Sequence, residues 1–266
     1  MYETHYHRAK DVADAMKLFT GASDARYLAG GMTLIPTMKQ RLAAPSDLID
    51  ITHLADLKGI SGGKEMVTIG AAVTHAEVTT SDAVRNVIPA LAELAGTVGD
   101  PAVRHRGTLG GSLANNDPAA DYPAGVLGLG ATIHTSKRTI AADDFFTGMF
   151  TTALEDGEII TKVAFPVPDK AAYMKFRNPA SRYAMAGVFV AQMKDGKIRV
   201  AVTGAGQKGV FRSTSMENAL SVSWNPDALN GIDIDTGMML SDLHGSAVYR
   251  ANLVKVMAKR AVAAIG

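Results

Sequence analysis

Two glycine-rich stretches hold residues whose types and spacing can grip an anion: Ala29-Gly30-Gly31-Met32-Thr33 and Thr108-Leu109-Gly110-Gly111-Ser112. A glycine loop that leaves a strand and enters a helix turns several backbone N–H groups onto one point. The Thr108 and Ser112 hydroxyls add donors to the second stretch. Two such loops together suit a pyrophosphate, which presents two anionic centres. The competing reading is that both are turns needing glycine only for its left-handed backbone. Downstream, Asn115-Asn116-Asp117-Pro118-Ala119-Ala120-Asp121 is polar and turn-prone, and it runs into the apolar stretch Ala124 to Leu129. Asp117 or Asp121 can accept from sugar-type hydroxyls there, or simply cap a helix.

Other patterns carry less. Gly204-Ala205-Gly206-Gln207-Lys208-Gly209 matches G-x-G-x-x-G after a strand. A dinucleotide fold needs that loop to open at once into a helix of a βαβ unit. Here the next helical run, around Ser215 to Leu220, starts late and the strand before it belongs to a hairpin, so the motif reads as a glycine-rich strand exit. His5 and His7 would share one strand face, but no third metal ligand is evident, so no metal site is assigned. G-x-S-x-G, a complete Walker loop and H-E-x-x-H are all missing, which leaves hydrolase and NTPase chemistry without support. The chain has no cysteine, which excludes disulfides, thiolate nucleophiles and iron–sulfur clusters bound by this chain alone.

The elements that must position these loops read as a mixture of helices and strands. Val12, Ala15, Met16 and Phe19 predict a helix over 11–20. Strands are expected at 25–29 and 47–51, with a helix over 34–42 between them, a βαβ-like opening. A strand over 66–72 precedes a capping box at Thr74-His75-Ala76-Glu77. Residues 88–98 read as a buried helix, and 131–135 and 159–165 as strands. Pro166-Val167-Pro168 interrupts both helix and ladder and marks a boundary. Beyond it, 187–193 and 197–203 form a hairpin about Lys194-Asp195-Gly196, and a C-terminal helix puts Ala247, Ala251, Val254, Met257, Ala258, Ala261 and Ile265 on one face. With 266 residues, 47% hydrophobic and 20% charged, the chain can bury a substantial core. Its net charge of +1 argues against nucleic acid as a partner. The polar N-terminus and the absence of a long apolar run point to a cytoplasmic protein without a transmembrane segment.

Extended to Ala29-Gly30-Gly31-Met32-Thr33-Leu34-Ile35-Pro36, with Lys39 and Arg41 behind it, the first stretch resembles the first FAD-binding loop of the flavoprotein subunit of molybdenum hydroxylases. Thr108-Leu109-Gly110-Gly111-Ser112-Leu113-Ala114, continued through Asp117-Pro118 to Asp121, is similar to that family's second FAD loop. The likeness is to the medium subunit of carbon monoxide dehydrogenase-type enzymes and to the FAD domain of xanthine dehydrogenase, and it spans essentially the whole chain. It implies an α+β fold: a two-part FAD-binding domain of the vanillyl-alcohol-oxidase/PCMH type over 1–168, with subdomains near 1–57 and 58–168, then a small α+β C-terminal domain over 169–266. Carried over by position, it implies that Ala29 to Leu34 and Thr108 to Ser112 cradle the pyrophosphate through backbone N–H groups. Asp121 would be the acidic FAD contact with Asp117 nearby, Ile160 a backbone contact, Val98 a wall residue, Tyr183 an aromatic beside the isoalloxazine ring and Arg177 a basic contact.

The resemblance further implies an oxidoreductase subunit with no catalytic acid or base of its own, FAD being its only cofactor. Substrate would be oxidised at a molybdopterin centre in a large partner subunit. Electrons would pass through [2Fe-2S] clusters in a small partner subunit to this FAD and then to an external acceptor, within a dimer of heterotrimers. Two other readings stand beside it: a self-sufficient FAD oxidase or dehydrogenase, and a non-catalytic scaffold subunit that has lost FAD. Met32, where many members carry a polar residue, feeds the second of these, while the retained glycines oppose it. Arg182 replaces an acidic residue common before the tyrosine. Arg104 and Arg106 either raise the flavin potential or are solvated loop charges.

Overall fold

A three-stranded parallel sheet opens the chain, ordered β1-β3-β2 from β1 (His5–Arg8), β2 (Ala25–Leu28) and β3 (Asp47–Asp50). The computed structural model describes residues 1–265. Helix α1 (Val12–Gly21) begins where the Asp11 side chain accepts from the Asp14 amide, and it buries Ala15. Helix α2 (Leu34–Lys39) links β2 to β3 and stops short of the expected Leu42, because Arg41 turns into the left-handed region with φ 62°. The expected βαβ opening is thus present with one more strand: β1, His-Tyr-His-Arg, carries no apolar alternation to announce it.

The chain then forms β4 (Ile60–Gly62) and β5 (Met66–Gly70), followed by six helices. These are α3 (His75–Thr80), α4 (Asp82–Arg85), α5 (Pro89–Gly96), α6 (Pro101–Arg104), α7 (Leu109–Asn115) and α8 (Tyr122–Gly128). The predicted capping box forms at α3: Thr74 accepts from the Glu77 amide, and the Glu77 carboxylate accepts from the Thr74 amide. Next come β6 (Thr132–Thr135), β7 (Thr139–Ala141), α9 (Ala142–Phe145), the hairpin β8 (Phe146–Gly148) and β9 (Thr151–Thr152), and β10 (Ile160–Pro166). The middle sheet is antiparallel, ordered β4-β5-β10-β6-β7.

β10 ends at Pro166, and the next strand, β11 (Lys170–Arg177), belongs to a separate antiparallel sheet with β12 (Ala184–Gln192), β13 (Ile198–Thr203) and β14 (Phe211–Arg212). Helices α10 (Thr214–Val222) and α11 (Ala247–Ala264) complete this part. The β12–β13 hairpin turns at Gly196 with φ 82°, where the sequence places it. β12 is buried on both faces: Phe189 packs into the core formed with α5 and α8, while Val188 and Val190 pack into a second core with α11. That explains its almost unbroken apolar run. The G-x-G-x-x-G segment leaves β13 as a tight exit: the Gly204 amide donates to the Pro118 carbonyl and the Leu240 amide to that of Ala205. Among the described residues no helix is long and apolar enough to cross a membrane.

Candidate functional site

A cavity of about 850 Å³ opens where the three sheets meet. That volume lies within the range of small-molecule and cofactor sites. Its wall draws on the loop after β2, the start of α7, the loop before α8, the start of β10, and β11 with the loop that follows it. Of the residues singled out from sequence, Ala29, Gly30, Gly31, Met32, Thr33, Leu34, Val98, Thr108, Gly110, Gly111, Ser112, Asp117, Asp121, Ile160 and Tyr183 border it. Leu109 and Arg177 do not.

The first glycine loop is the strongest polar feature. None of the backbone N–H groups from Ala29 to Leu34 donates to an acceptor within the described residues. Thr33 precedes α2 without a side-chain cap. Gly31 has φ 72°, a conformation that glycine takes without strain. Gly30 serves a different purpose: a Cβ there would lie 2.1 Å from the Arg106 carbonyl oxygen, so the missing side chain lets the backbone of the second loop pass against the first. Consecutive unpartnered amides in such a turn form an anion-binding concavity.

The second loop departs from the expectation that its amides share this task. The Leu109 amide donates to the Val73 carbonyl at 3.0 Å, Gly110 to Ala71 at 2.8 Å, Gly111 to the Thr108 hydroxyl at 3.1 Å and Ser112 to the Thr108 carbonyl at 3.0 Å. These donors are committed to docking α7 on the β5–α3 turn and to starting the helix. Leu109 is wholly buried, its side chain in the core beside Leu113. The loop offers the cavity its side chain-free Gly110 and Gly111 surfaces, the Thr108 amide and the Ser112 hydroxyl.

On another side of the cavity, Asp121 is buried and accepts from the Tyr173 hydroxyl and, at 2.8 Å, from the Lys175 ammonium. Burial pushes the Asp121 carboxyl above its ordinary range, while Lys175 opposes that rise. Lys175 also donates to the Thr97 carbonyl at 3.2 Å, and its side chain is 3% exposed. Lys175, not Arg177, is therefore the basic residue paired with Asp121 at the cavity. Where Arg177 pairs with Ala184 the register shifts past Met185 of β12, and Arg177, the last residue of β11, is exposed outside the wall. The signal for Lys175 was its place two residues from Tyr173, on one face of a strand. Asp117 turns its carboxylate to the Ala119 amide. Arg104 donates to the Val98 and Gly99 carbonyls, which makes it a clamp on the loop before α6; Arg106 is exposed.

Tyr183 stands half exposed at the mouth, and burial of its ring, with Asp117 and Asp121 near it, raises its hydroxyl pKa. Its loop is closed by Asn178, which donates to the Tyr183 carbonyl and accepts from the Ala180 and Ser181 amides. Arg182 sits in the left-handed region at φ 63°. Leu28, Ile51, Leu57, Ile159 and Ile160 give the cavity apolar lining. Tyr27, which also borders the cavity, donates to the Gly157 carbonyl at 2.9 Å and so ties β2 to the loop before β10.

His75 escaped the reading of the sequence, although the capping box marks it as the first residue of α3. It borders the cavity, packs its ring 5.2 Å from that of Tyr122, and has a pKa lowered to about 4 by burial and by Arg104. The buried His75 Nδ1 and Tyr122 hydroxyl are both unpartnered. Together, the free amides, the glycine-lined approach, the orphaned polar atoms and the apolar flank fit a ligand with a dianionic middle and planar ends, as FAD has.

A family model described as the FAD binding domain in molybdopterin dehydrogenase matches residues 2–168. The chain is 35% identical to the glyceraldehyde dehydrogenase medium chain of Sulfolobus acidocaldarius, covering 97% of each protein. It is 36% identical to the carbon monoxide dehydrogenase medium chain of Afipia carboxidovorans, covering 97% of this chain and 94% of that one. A crystal structure of Cu,Mo-CO dehydrogenase contains a chain that superimposes with a TM-score of 0.90 at 34% identity, covering 99% of this chain and 98% of that one.

Proposed function

This chain belongs to the family of FAD-binding domains of molybdopterin dehydrogenases, and from that premise we propose that it is the subunit that relays electrons through FAD in a multi-subunit molybdenum hydroxylase. It is an oxidoreductase subunit whose α+β architecture is that of the carbon monoxide dehydrogenase flavoprotein chain. The observation that carries the proposal is the run of unpartnered amides from Ala29 to Leu34 facing a cavity of cofactor size. None of those donors is a side chain, so Met32 leaves the nest intact.

Bound FAD supplies the redox chemistry, and the protein supplies binding, orientation and electrostatics. The first loop holds the diphosphate by charge-assisted N–H donation. Ser112 and Asp117 border the same cavity and offer polar atoms to the polyol chain. Lys175, anchored by Asp121 and the Thr97 carbonyl, holds a fixed positive charge in a buried place, where such a charge favours added electron density. Tyr183 narrows the mouth and limits access of water. The apolar flank at Ile51, Leu57 and Ile159 suits an adenine ring.

The partners follow from composition. A chain without cysteine cannot hold the iron–sulfur clusters that link a molybdenum centre to a flavin. Those clusters and the molybdopterin centre belong to a small and a large partner subunit, in the arrangement of a dimer of heterotrimers, with an external acceptor reoxidising FAD. The substrate is chosen in the large subunit, and relatives named for carbon monoxide and for glyceraldehyde carry medium chains of this same kind.

The test is a visible spectrum of the purified chain with acid release of the cofactor, then co-purification from its source. About one FAD per chain, in a complex that carries molybdenum and iron, is expected. A chain that takes up no FAD even in the complex would leave scaffolding, and a partner-free chain that turns over substrate would make it a self-sufficient oxidase. Either result refutes the proposal.

A further inference from the structure

We propose that His75 is a cofactor-binding residue that donates a hydrogen bond from Nε2 to an oxygen of the FAD diphosphate; the inference rests on FAD being the resident of the cavity. His75 is only 4% exposed, yet it borders the cavity, and neither ring nitrogen has a hydrogen-bond partner among the described residues. Buried polar side chains in folded proteins almost always have partners, so an unpartnered imidazole in a cavity wall marks where a ligand atom belongs.

Its placement identifies the part of the ligand. Gly107 lies against the ring: a Cβ there would sit 2.6 Å from His75 Nε2. Gly107 also lies against the first loop, because a Cβ on Gly30 would sit 2.7 Å from the Gly107 Cα. The imidazole and the first loop thus both pack against Gly107, and all three border the same cavity, which places Nε2 next to the loop whose free amides hold the diphosphate.

The ring is also prepared for this role. Its backbone amide donates to the Gly107 carbonyl at 3.0 Å, and Thr74 and Glu77 cap the helix it begins, so its Cα is fixed. The Tyr122 ring packs beside it and limits its rotation. Burial and the Arg104 guanidinium keep it neutral at physiological pH. A neutral imidazole carries one N–H, and an anionic neighbour selects the tautomer that points that proton at it.

The full chain stripped of FAD and labelled with 15N at histidine tests this directly. On titration with FAD, and separately with ADP as a diphosphate lacking the flavin, the His75 imidazole resonances, assigned by their loss in His75→Gln, should move. In parallel, His75→Phe should weaken FAD binding by about tenfold or more, the effect of one hydrogen bond to a charged group. His75→Gln, which retains a neutral donor, should recover most of it. Unmoved imidazole signals at FAD saturation, or His75→Phe binding FAD as tightly as wild type, would overturn the inference. Should His75→Phe fail to fold, the resonances of the wild-type chain decide alone. A response to FAD without one to ADP would move the contact away from the diphosphate and refute the assignment. A wild-type chain that binds no FAD would overturn the functional reading as well, whereas uptake of FAD with a silent His75 sinks this inference alone.

Discussion

Replacing Gly30 with alanine tests the logic of the site at its tightest point. The added Cβ would lie 2.1 Å from the Arg106 carbonyl oxygen and 2.7 Å from both the Arg106 carbonyl carbon and the Gly107 Cα. All three are backbone atoms, so no rotamer change relieves the clash. Ordinary contact begins near 3.4 Å, so the two loops must part by about 1.3 Å. Overpacking of this kind costs about 1–3 kcal/mol of stability. The same displacement carries an amide from a hydrogen-bond distance of ~2.9 Å to beyond the range in which it can bind a phosphate oxygen. Each charge-assisted bond lost is worth about 1.5–3 kcal/mol, so FAD affinity should fall at least tenfold and, if two donors move, several hundredfold. The assay is titration of FAD into the cofactor-free chain by flavin fluorescence, with thermal melting of the apo form alongside. Two controls bracket it. Gly63→Ala, where an added Cβ meets nothing within 4 Å, should change neither quantity. Gly31→Ala should cost about 1–2 kcal/mol for its left-handed backbone, its Cβ meeting only side-chain carbons of Ile35 and Leu28 at 3.1 and 3.2 Å. If Gly30→Ala folds and binds FAD within twofold of wild type, the account of a first loop shaped for the diphosphate by close passage of the second loop's backbone is wrong.

Other perturbations reach the surrounding frame. Lys175→Met strips the buried Asp121 of its cation and should lower stability by about 3–5 kcal/mol; the double variant with Asp121→Asn should recover part of that loss, and strict additivity in a double-mutant cycle would show that the pair does not act as a unit. The His75 pKa is lowered to about 4 from 6.5, so between these values the unfolded chain binds more protons than the folded one. Stability of the apo chain should therefore fall as pH drops from 6.5 to 4, by about 3 kcal/mol from this group, and His75→Phe should flatten that part of a denaturation profile; an unchanged slope would mean that the imidazole is solvated. Asn116, in the left-handed region at φ 42°, donates from Nδ2 to the Gly148 and Thr151 carbonyls at 2.8 Å each. Asn116→Ala should cost about 2–3 kcal/mol in chemical denaturation and loosen the β8–β9 hairpin, with Asn116→Gly restoring only the backbone share.

Much of the frame was legible because its signals are local. The Thr74–Glu77 capping box, the Lys194-Asp195-Gly196 turn and the apolar stripe of α11 each depend on contacts within about one turn of chain, and all three form where the residue types place them. The first glycine loop was legible for the same reason: a strand followed by two glycines and a helix start leaves its own amides without local acceptors. β1 was not, since its polar residues carry no alternation, and its strand character comes from pairing with β3, far along the chain. The second glycine loop looked equivalent to the first by composition. Whether its amides stay free depends on the Ala71 and Val73 carbonyls, which reach it only when α7 docks on the β5–α3 turn.

The same division runs through the site. Residue order alone determined that a glycine loop would stand between a strand and a helix, that no metal cluster could be built on cysteine, and that the chain would be a mixed α+β protein related to flavoprotein subunits. Those properties belong to neighbouring residues and to composition. Tertiary structure alone decided that Lys175 and not Arg177 pairs with Asp121, because the Lys175 side chain is buried against that carboxylate while Arg177 is exposed at the end of β11. It alone decided that Gly30 exists to admit the backbone at Arg106 and Gly107, and that His75 stands unpartnered beside Gly107. Burial, the pairing of charges and close approach of backbones arise between segments distant in sequence, and they take effect only once the three sheets have packed around one cavity.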